Sequence, residues 1–296
     1  MTTRILVTGA SGQLGGYLLR ALERQQESVV AWSGSHPTSL FGCPVTPVDL
    51  TDRDGTARAF AEARPDLVIH AAALSRIDLC YRDPSLAVTV NARGTEHLAE
   101  LAATAGARLV YVSTDLVFDG EQGPYRETDA AQPVSVYGTT KRAGESAALT
   151  HDRAAAVRVS LLFGPTVVAR PVFFDKQVEA LRTGERCKLF ADEWRTPLSL
   201  QTAAQSLIAV ARSDVSGLLH LGGPERMTRL EMGQRLARAF GKNPDIFVAS
   251  LQADVPAPEP RPRDVSLNSA RFRELFPQQP WPPFEAALAE LGMGTR

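Results

Sequence analysis

A tyrosine and a lysine, Tyr137 and Lys141, stand four residues apart where a stretch of helical periodicity begins. This spacing places both side chains on one face of a helix. A nearby ammonium favours the phenolate, so we expect the pKa of Tyr137 to fall from about 10 toward neutrality. Such a tyrosine can donate a proton in a reduction or accept one in an oxidation. The pattern is also found by chance, as an aromatic residue beside a surface lysine.

A hydroxyl group that could work with this pair lies upstream. Ser113, Thr114 and Asp115 follow the apolar residues 108–112, which predict a buried strand. In a doubly wound fold the end of that strand faces the same crevice as the helix. Thr114 could then hydrogen-bond a substrate carbonyl oxygen and polarise it. Our candidate catalytic residues are therefore Thr114, Tyr137 and Lys141.

Three glycines near the N-terminus, Gly9, Gly12 and Gly15, follow a short apolar strand and open an amphipathic helix. Glycines there permit a tight turn and let the backbone approach a phosphate closely. The free amides and positive dipole end of the helix would meet the same anion. We predict that this turn binds the pyrophosphate of a dinucleotide through Gly9, Ala10, Ser11, Gly12, Gln13, Leu14 and Gly15, and a purely structural turn is the alternative.

The residues after the second predicted strand bear on which dinucleotide binds. An acid there normally holds the ribose 2′-hydroxyl of NAD, but residues 31–36 contain none. Ser33 could donate to a 2′-phosphate, and His36 is the first basic residue. We therefore expect NADP in slight preference to NAD. Asp49 and Leu50 follow the third predicted strand, where a carboxylate could meet the adenine amino group; a helix cap is the alternative role.

Strands and helices alternate along the first part of the chain. Apolar runs predict strands, and helical periodicity predicts helices; the strands are at 5–7, 28–32, 45–49, 67–70, 108–112 and 155–159, and the helices at 14–22, 54–63, 92–105 and 136–149. Several strands are apolar throughout, which is typical of a parallel sheet covered on both faces. The predicted fold class is α/β, a doubly wound (Rossmann) sheet with a ligand site at the carboxyl ends of its strands.

The alternation weakens after about residue 164. Helical stretches near 173–183 and 228–240 and proline clusters at 256–263 and 277–283 follow. We expect residues 1–164 to form an NAD(P)-binding domain, to which the chain returns around 195–220. Residues 165–296 would then be mainly a smaller substrate-binding cap.

Composition excludes several classes of protein. The 296 residues include 32 basic and 33 acidic ones, a net charge of -1, so no overall field favours nucleic acid or an anionic membrane. No apolar run approaches the about 20 residues that span a bilayer, and the N-terminus leaves no room for a signal peptide. We expect a cytoplasmic protein. Cys43, Cys80 and Cys187 are scattered, which argues against disulfides and against a metal site.

Together these motifs resemble the extended short-chain dehydrogenase/reductase family, and within it the dTDP-4-dehydrorhamnose reductase group. The resemblance is carried by the glycine turn, Ala71 to Ala73, Asn91, residues 113–120, 124–129, 137–145 and 261–264. It covers essentially the whole chain, densely to about residue 164. Residues 124–127, 225–232 and 261–263 also resemble the regulatory beta subunit of methionine adenosyltransferase.

The resemblance implies NAD(P)H-dependent reduction of a keto group on a nucleotide-diphosphate sugar. It makes Tyr137 the proton donor, Lys141 the residue that holds the nicotinamide ribose, and Thr114 the residue that orients the carbonyl. It places Ala71, Ala72 and Ala73 along the cofactor trough and Asn91 in the cofactor-binding set, as a support of the active-site backbone.

The resemblance indicates fewer residues for the substrate than for the cofactor. Arg195 and one of Arg261 or Arg263 could pair with a diphosphate, because guanidinium groups bind phosphate bidentately; surface salt bridges are the alternative. The full candidate set is Val117, Phe118, Trp194, Arg195 and Arg263; core packing is the alternative role for Phe118, and packing in the cap is the alternative role for Trp194. Residues 198–203 lack the acidic run that often follows in the family. That departure puts a metal-dependent dimer in doubt and leaves a homodimer open.

Two other functions compete with reduction. A regulatory subunit would keep the fold and the cofactor but act by binding a partner protein. Extended relatives also catalyse epimerisation and 4,6-dehydration, and the dehydratases place Asp-Glu after the strand-end hydroxyl residue. Here Leu116 follows Asp115, which disfavours dehydration.

Overall fold

A computed structural model describes residues 3–34, 38–168 and 172–294. The strands in chain order are β1 (Arg4–Thr8), β2 (Ser28–Ser33), β3 (Thr38–Leu40), β4 (Cys43–Pro47), β5 (Leu67–His70), β6 (Arg108–Thr114), β7 (Ala154–Val159), β8 (Leu162–Phe163), β9 (Cys187–Phe190), β10 (Trp194–Arg195), β11 (Leu198–Ser199), β12 (Gly217–Leu221), β13 (Met227–Thr228) and β14 (Phe247–Ser250). The α-helices are α1 (Gln13–Arg24), α2 (Arg53–Ala63), α3 (Ile77–Arg82), α4 (Pro84–Val88), α5 (Gly94–Ala105), α6 (Val136–Ala148), α7 (Phe173–Thr183), α8 (Leu200–Ala211), α9 (Arg229–Ala239), α10 (Ala270–Leu275) and α11 (Phe284–Glu290).

Eight strands form the central sheet in the order β12-β7-β6-β5-β1-β2-β4-β3. Neighbouring strands are parallel, except that the edge strand β3 runs antiparallel to β4. The chain leaves β1 toward β2 on one side and continues from β5 to β7 on the other. A crevice at such a reversal is where doubly wound folds bind ligands. The predicted fold class is confirmed.

Side chains alternate between the two faces of this sheet. Leu6, Val68 and Leu109 pack on one face against α2 and α5, whereas Val7, Ile69 and Val110 pack on the other against α1 and α8. Both faces are therefore covered, which explains why β5 and β6 are apolar along their length. This packing fixes the carboxyl ends of the strands as a rigid edge.

The last third of the chain contributes to both regions. Helix α8 joins the core cluster of α1, and β12 pairs with β7 at the sheet edge; this is the stretch where we expected a return to the sheet. The remaining short strands pair as β10 with β13, β11 with β8 and β14 with β9. Helices α7, α9 and α11 pack around them with Phe163, Phe174, Met232, Phe247 and Phe284.

Candidate active site

A cavity of about 1140 Å³ lies at the carboxyl ends of β1, β2, β5 and β6. On the sheet side its walls are the glycine turn, the strand ends and the start of α6. On the other side they come from the C-terminal region, with Phe190, Glu193, Arg195, Arg229 and residues 257–262. The cavity thus joins the predicted cofactor turn to residues far away in sequence.

The glycine turn is shaped by close backbone contacts. Gly9 has φ +69°, and a Cβ there would lie 2.6 Å from the amide nitrogen of Ala72. A Cβ on Gly15 would lie 2.2 Å from the carbonyl oxygen of Gly9. Helix α1 begins after Gly12 with no acidic residue in its first turn, so its free amides and dipole favour an anion. The turn therefore fits the pyrophosphate of a dinucleotide.

Most residues predicted in this turn line the cavity, with one exception. Ser11, Gln13 and Leu14 line it together with the three glycines. Ala10 does not: it is fully buried, and its amide donates to the carbonyl oxygen of Trp32 at 2.9 Å. We correct Ala10 from a ligand contact to a residue that ties the turn to β2.

The adenosine end of the cavity is formed by Trp32, Ser33, Val48, Asp49 and Leu50. Asp49 does not cap α2, since Asp52 is the N-cap. Instead its Oδ1 accepts hydrogen bonds from the amide and hydroxyl of Thr51 at 2.9 and 2.8 Å. His36, the basic residue considered for a 2′-phosphate, lies outside the described residues.

A buried hydrogen-bond chain supports Ala71, Ala72 and Ala73, which line the cavity as predicted. The Ala72 amide donates to Thr8 Oγ1 at 3.2 Å, and Thr8 pairs with His70 Nδ1 at 2.7 Å. On the other side of the ring, His70 Nε2 lies 3.0 Å from Thr95 Oγ1, whose proton is donated to the carbonyl oxygen of Asn91. These partners require a neutral ring protonated at Nε2. Burial and the charge of Lys141 accordingly lower the pKa of His70 to about 3.

Asn91 connects the cofactor loop to the catalytic helix. It lies in a π-helical turn, Thr89–Arg93, and is fully buried. Its Oδ1 accepts from the Leu74 amide at 2.8 Å, and its Nδ2 donates to the Leu74 carbonyl at 3.1 Å and to Thr140 Oγ1 at 3.0 Å. Asn91 does not line the cavity, so it is corrected as a direct cofactor contact, and these hydrogen bonds fit the role that the resemblance implies, a support of the active-site backbone.

Thr114, Tyr137 and Lys141 all line the cavity. Thr114 is the last residue of β6, and its Oγ1 accepts from the Leu116 amide at 3.2 Å. Tyr137 lies in the first turn of α6, which Ser135 caps by accepting from the Gly138 amide at 3.1 Å. The sheet edge and the helix start therefore bring the three predicted catalytic side chains to one place.

The electrostatics of this group differ from our expectation. Burial raises the pKa of Tyr137 well above 10, and the Asp115 carboxylate adds to the rise, while the Thr114 hydroxyl opposes it. Burial disfavours the phenolate more than any nearby charge favours it, so the predicted lowering is wrong. Burial also lowers the pKa of Lys141 to about 7, opposed by Glu145. The lysine Nζ lies 4.1 Å from the centre of the Tyr111 ring.

A buried ion pair lies behind the catalytic helix. Arg158 on β7 donates from Nε and Nη2 to the two carboxylate oxygens of Glu145, each at 2.8 Å. Ser113 donates to the same carboxylate at 2.5 Å, and Arg158 Nη1 lies 3.3 Å from His220 Nε2. These contacts join α6 to β6, β7 and β12. Apolar patterns give no sign of them, because the residues come from four separate elements.

Four of the predicted substrate-binding residues lie outside the cavity. Val117 and Phe118 are fully buried, and Phe118 stacks on Tyr125 with 4.0 Å between ring centres. Trp194 pairs with Thr228 in the β10–β13 ladder, and Arg263 is exposed away from the cavity. We correct Val117 and Arg263 as cavity contacts, while Phe118 and Trp194 have their alternative packing roles; the short 3-10 turn after β6 directs Val117 and Phe118 into the core.

Arg195 lines the cavity, but its donors are used within the protein. Nη2 donates to Glu193 Oε1 at 2.7 Å, and Nη1 donates to the carbonyl oxygens of Trp194 and Arg263 at 2.7 and 3.3 Å. Nε lies 4.0 Å from Asp115 Oδ2. Arg195 therefore holds two backbone segments and the catalytic strand end together. Sequence reasoning missed the other lining residues of this side, Phe190, Glu193, Arg229 and Glu259.

Two structural features are absent from the described ranges. No helix there is long and apolar enough to cross a membrane. No group of three or more metal-binding side chains occurs in the same ranges.

Comparison with known proteins now identifies the family. The model of the RmlD substrate binding domain matches residues 3–293. The dTDP-4-dehydrorhamnose reductase of Streptomyces griseus is 34% identical over 97% of this chain and 92% of its own. Methionine adenosyltransferase 2 subunit beta of Xenopus laevis is 29% identical over 92% of this chain and 82% of its own.

A solved structure gives the same fold. The dTDP-4-dehydrorhamnose reductase of Bacillus anthracis str. Ames, in complex with NADP, has a TM-score of 0.86 over 99% of each chain at 23% identity. The family model and the identity to the Streptomyces griseus reductase confirm the resemblance inferred from the motifs. The chain belongs to the RmlD substrate binding domain family.

Proposed function

We propose that this protein reduces a keto group on a nucleotide-diphosphate sugar with NADPH or NADH. The observation that carries the proposal is that Thr114, Tyr137 and Lys141 line one cavity with the glycine turn. The 34% identity to the Streptomyces griseus reductase supports the same reaction class.

The cavity suits a nicotinamide dinucleotide, which supplies a hydride when bound. Gly9 to Gly15 would hold its pyrophosphate, because the turn opens α1 with no acidic residue in the first helical turn and the helix dipole there favours an anion. Ala71 to Ala73 would line its path, with Ser33, Asp49 and Leu50 around the adenosine. Trp32 and Ser33 at the end of β2, and Gly34 after it, include no acid, which favours NADP slightly over NAD.

The catalytic residues act on the carbonyl oxygen. The Thr114 hydroxyl, which donates to Asp115 Oδ1 at 3.2 Å in this structure, would turn to donate to that oxygen, and Tyr137 would deliver the proton that completes the alcohol. The raised pKa of Tyr137 keeps the phenol protonated at neutral pH, the form that a reduction requires. Lys141, which lines the same cavity, would hold the nicotinamide ribose.

The test is nicotinamide absorbance with a panel of dTDP-4-keto-6-deoxyhexoses. The wild-type chain should oxidise NADPH with at least one of them. Tyr137→Phe should lose about 10²–10⁴-fold in kcat, the usual contribution of a proton donor. Tyr81→Phe is the matched control, because Tyr81 is 47% exposed on α3. No oxidation across the panel, with NADPH demonstrably bound, would contradict the proposal.

A second candidate function is that of a regulatory subunit. The match to methionine adenosyltransferase 2 subunit beta favours it. A methionine adenosyltransferase retained by the immobilised chain would support this function. Keto-sugar turnover that Tyr137→Phe abolishes would argue for the enzyme instead.

The domain organisation, the location and the oligomeric state complete the proposal. We assign residues 1–164 to cofactor binding and 165–296 mainly to substrate binding. A cytoplasmic location and a possible homodimer belong to the same proposal, with no nucleic-acid partner. Light scattering of the purified chain measures its mass in solution and tests the dimer.

A further inference from the structure

The ammonium of Lys141 lies over the face of a buried aromatic ring. Its Nζ is 4.1 Å from the centre of the Tyr111 ring. Lys141 lines the cavity, whereas Tyr111 is fully buried behind it and does not line the cavity. The negative face of an aromatic ring attracts a cation at this distance, and more strongly where water is excluded.

Several contacts fix the plane of this ring. The Tyr111 hydroxyl donates to the carbonyl oxygen of Lys141 at 3.3 Å. The hydroxyl fits into a gap beside Gly144, since a Cβ on that residue would collide with it. On β5, the His70 ring lies 5.6 Å away between ring centres, tilted by 42°. The ring is therefore held by the catalytic helix and by the neighbouring strand, with its face beneath the lysine.

The carboxylate on the same helix has other partners. Glu145, one turn after Lys141 on α6, accepts from Arg158 at 2.8 Å on each oxygen and from Ser113 at 2.5 Å. Within residues 3–34, 38–168 and 172–294, no ion pair joins Lys141 to a carboxylate. Glu145 favours the charged lysine from a distance, but the ring is the group in contact with the ammonium.

Other titratable groups near the lysine are neutral or have other partners. Burial and the charge of Lys141 lower the pKa of His70 to about 3, so this ring is neutral at pH 7. Burial raises the pKa of Tyr137 well above 10, so the phenol is neutral too. Asp115, which acts on Tyr137, accepts from Ser160 at 3.0 Å.

The charge of Lys141 is therefore finely balanced. Burial lowers its pKa to about 7, with Glu145 opposing the shift. A ring face favours only the charged form of a lysine, so losing the Tyr111 ring would leave Lys141 mostly neutral at pH 7.

We propose that the Tyr111 ring favours the charged form of Lys141 and holds its ammonium toward the cavity. Tyr111 is then a positioning residue, which acts on the cofactor only through the lysine. The inference rests on the proposed function, in which Lys141 binds the nicotinamide ribose, and it adds a residue that the resemblance did not indicate.

NMR of chains labelled with 13C at the lysine Cε tests this inference. The sequence has four lysines, and Lys176, Lys188 and Lys242 are exposed, so the resonance that is lost in Lys141→Met identifies the buried one. In wild type this resonance should titrate with a pKa of about 7. Tyr111→Leu should lower that pKa by about one pH unit, whereas Tyr111→Phe, which keeps the ring, should leave it within about 0.3 of wild type.

Two further chains separate the ring face from packing. Pentafluorophenylalanine at position 111 has nearly the shape of phenylalanine but a ring face of reversed polarity, so it should lower the pKa of Lys141 at least as far as leucine does. Tyr81→Leu, at an exposed position on α3, should leave it unchanged. A wild-type Lys141 pKa in the pentafluorophenylalanine chain overturns the inference.

Titration with oxidised NADP measures the effect on the cofactor. At pH 7, Tyr111→Leu should bind it up to about fivefold more weakly than wild type, because fewer molecules carry a charged lysine, and the difference should almost vanish at pH 5. An equal difference at both pH values would indicate a structural change and overturn the inference. A Lys141 pKa that depends on the ring, without turnover of any keto sugar, supports the inference while contradicting the proposed reaction. Keto-sugar reduction with a ring-independent pKa does the reverse.

Discussion

Replacing Gly9 by alanine should damage both the fold and cofactor binding. Gly9 has φ +69°, and an added Cβ would lie 2.6 Å from the Ala72 amide nitrogen and 2.7 Å from its Cα. Both contacts are with backbone, which cannot rotate away as a side chain can. The strand-end alanines that line the cavity would have to move.

The expected loss in the free energy of unfolding has two parts, and variants of two other glycines measure these parts separately. An alanine in the left-handed region costs about 1–2 kcal/mol, and forcing an atom into a packed site costs about 1–3 kcal/mol. Gly184 has φ +79° but open space around its Cβ position, so Gly184→Ala carries only the first part. Gly34→Ala carries neither, because Gly34 has no contact within 4 Å and no positive φ. We expect losses in the free energy of unfolding of about 2–5, 1–2 and below 0.5 kcal/mol, respectively.

Urea unfolding of the three variants measures these values, and fluorescence titration with NADPH measures affinity. NADPH binding should weaken at least about tenfold in Gly9→Ala and stay near wild type in Gly184→Ala. The reasoning is refuted if Gly9→Ala is no less stable than Gly184→Ala and binds NADPH normally. In that case the contact between the turn and the alanine loop would not shape the site.

Three other predictions follow from buried polar groups. Arg158→Met should destabilise the fold by about 3–5 kcal/mol, since it leaves the Glu145 carboxylate buried and unpaired; a loss below 1 kcal/mol in urea unfolding would contradict the ion pair's role. Asn91→Ala should lower stability by about 1–3 kcal/mol, because the Leu74 amide and carbonyl lose their partner, and thermal unfolding with unchanged Tm would argue against it. The pKa of Lys141 is lowered to about 7 from 10.5, so between these pH values the unfolded chain binds more protons than the folded one. Stability relative to Lys141→Met should therefore rise with pH across this window, by up to about 1.4 kcal/mol per unit, and a flat difference would show that burial does not lower the pKa of Lys141.

The local pattern of apolar and turn residues was enough to predict much of the fold. The glycine turn, the strands from β1 to β7 other than β3, and helices α1, α2, α5 and α6 follow from apolar periodicity and turn residues, which depend on neighbours in sequence. The edge strand β3 has only three residues, and β12 reads as a short apolar run after a loop. Their pairing depends on strands elsewhere in the chain, so periodicity alone did not indicate them.

We predicted the site residues whose position follows from the direction of a strand or helix. We missed the residues whose position depends on tertiary contacts. Thr114 and Tyr137 lie at the ends of regular elements, whose direction follows from the fold class. Phe118 lies only four residues after Thr114, yet its ring stacks on Tyr125 in the core. Arg229 is in the cavity because α9 packs against β9, β13 and β14, which no local pattern reveals. The pKa of Tyr137 was misjudged because the sequence shows a nearby lysine but not burial or Asp115.

The central claim is that the cavity transfers hydride to a sugar keto carbon with Tyr137 as proton donor. Mass spectrometry of the product formed from NADPH deuterated at the transferred position tests it most directly, with a dTDP-4-keto-6-deoxyhexose as substrate. The account predicts deuterium at C4 of the sugar with the wild-type chain and almost none with Tyr137→Phe at equal NADPH binding. A sugar without deuterium after incubation with wild type, or equal labelling by Tyr137→Phe, would contradict it.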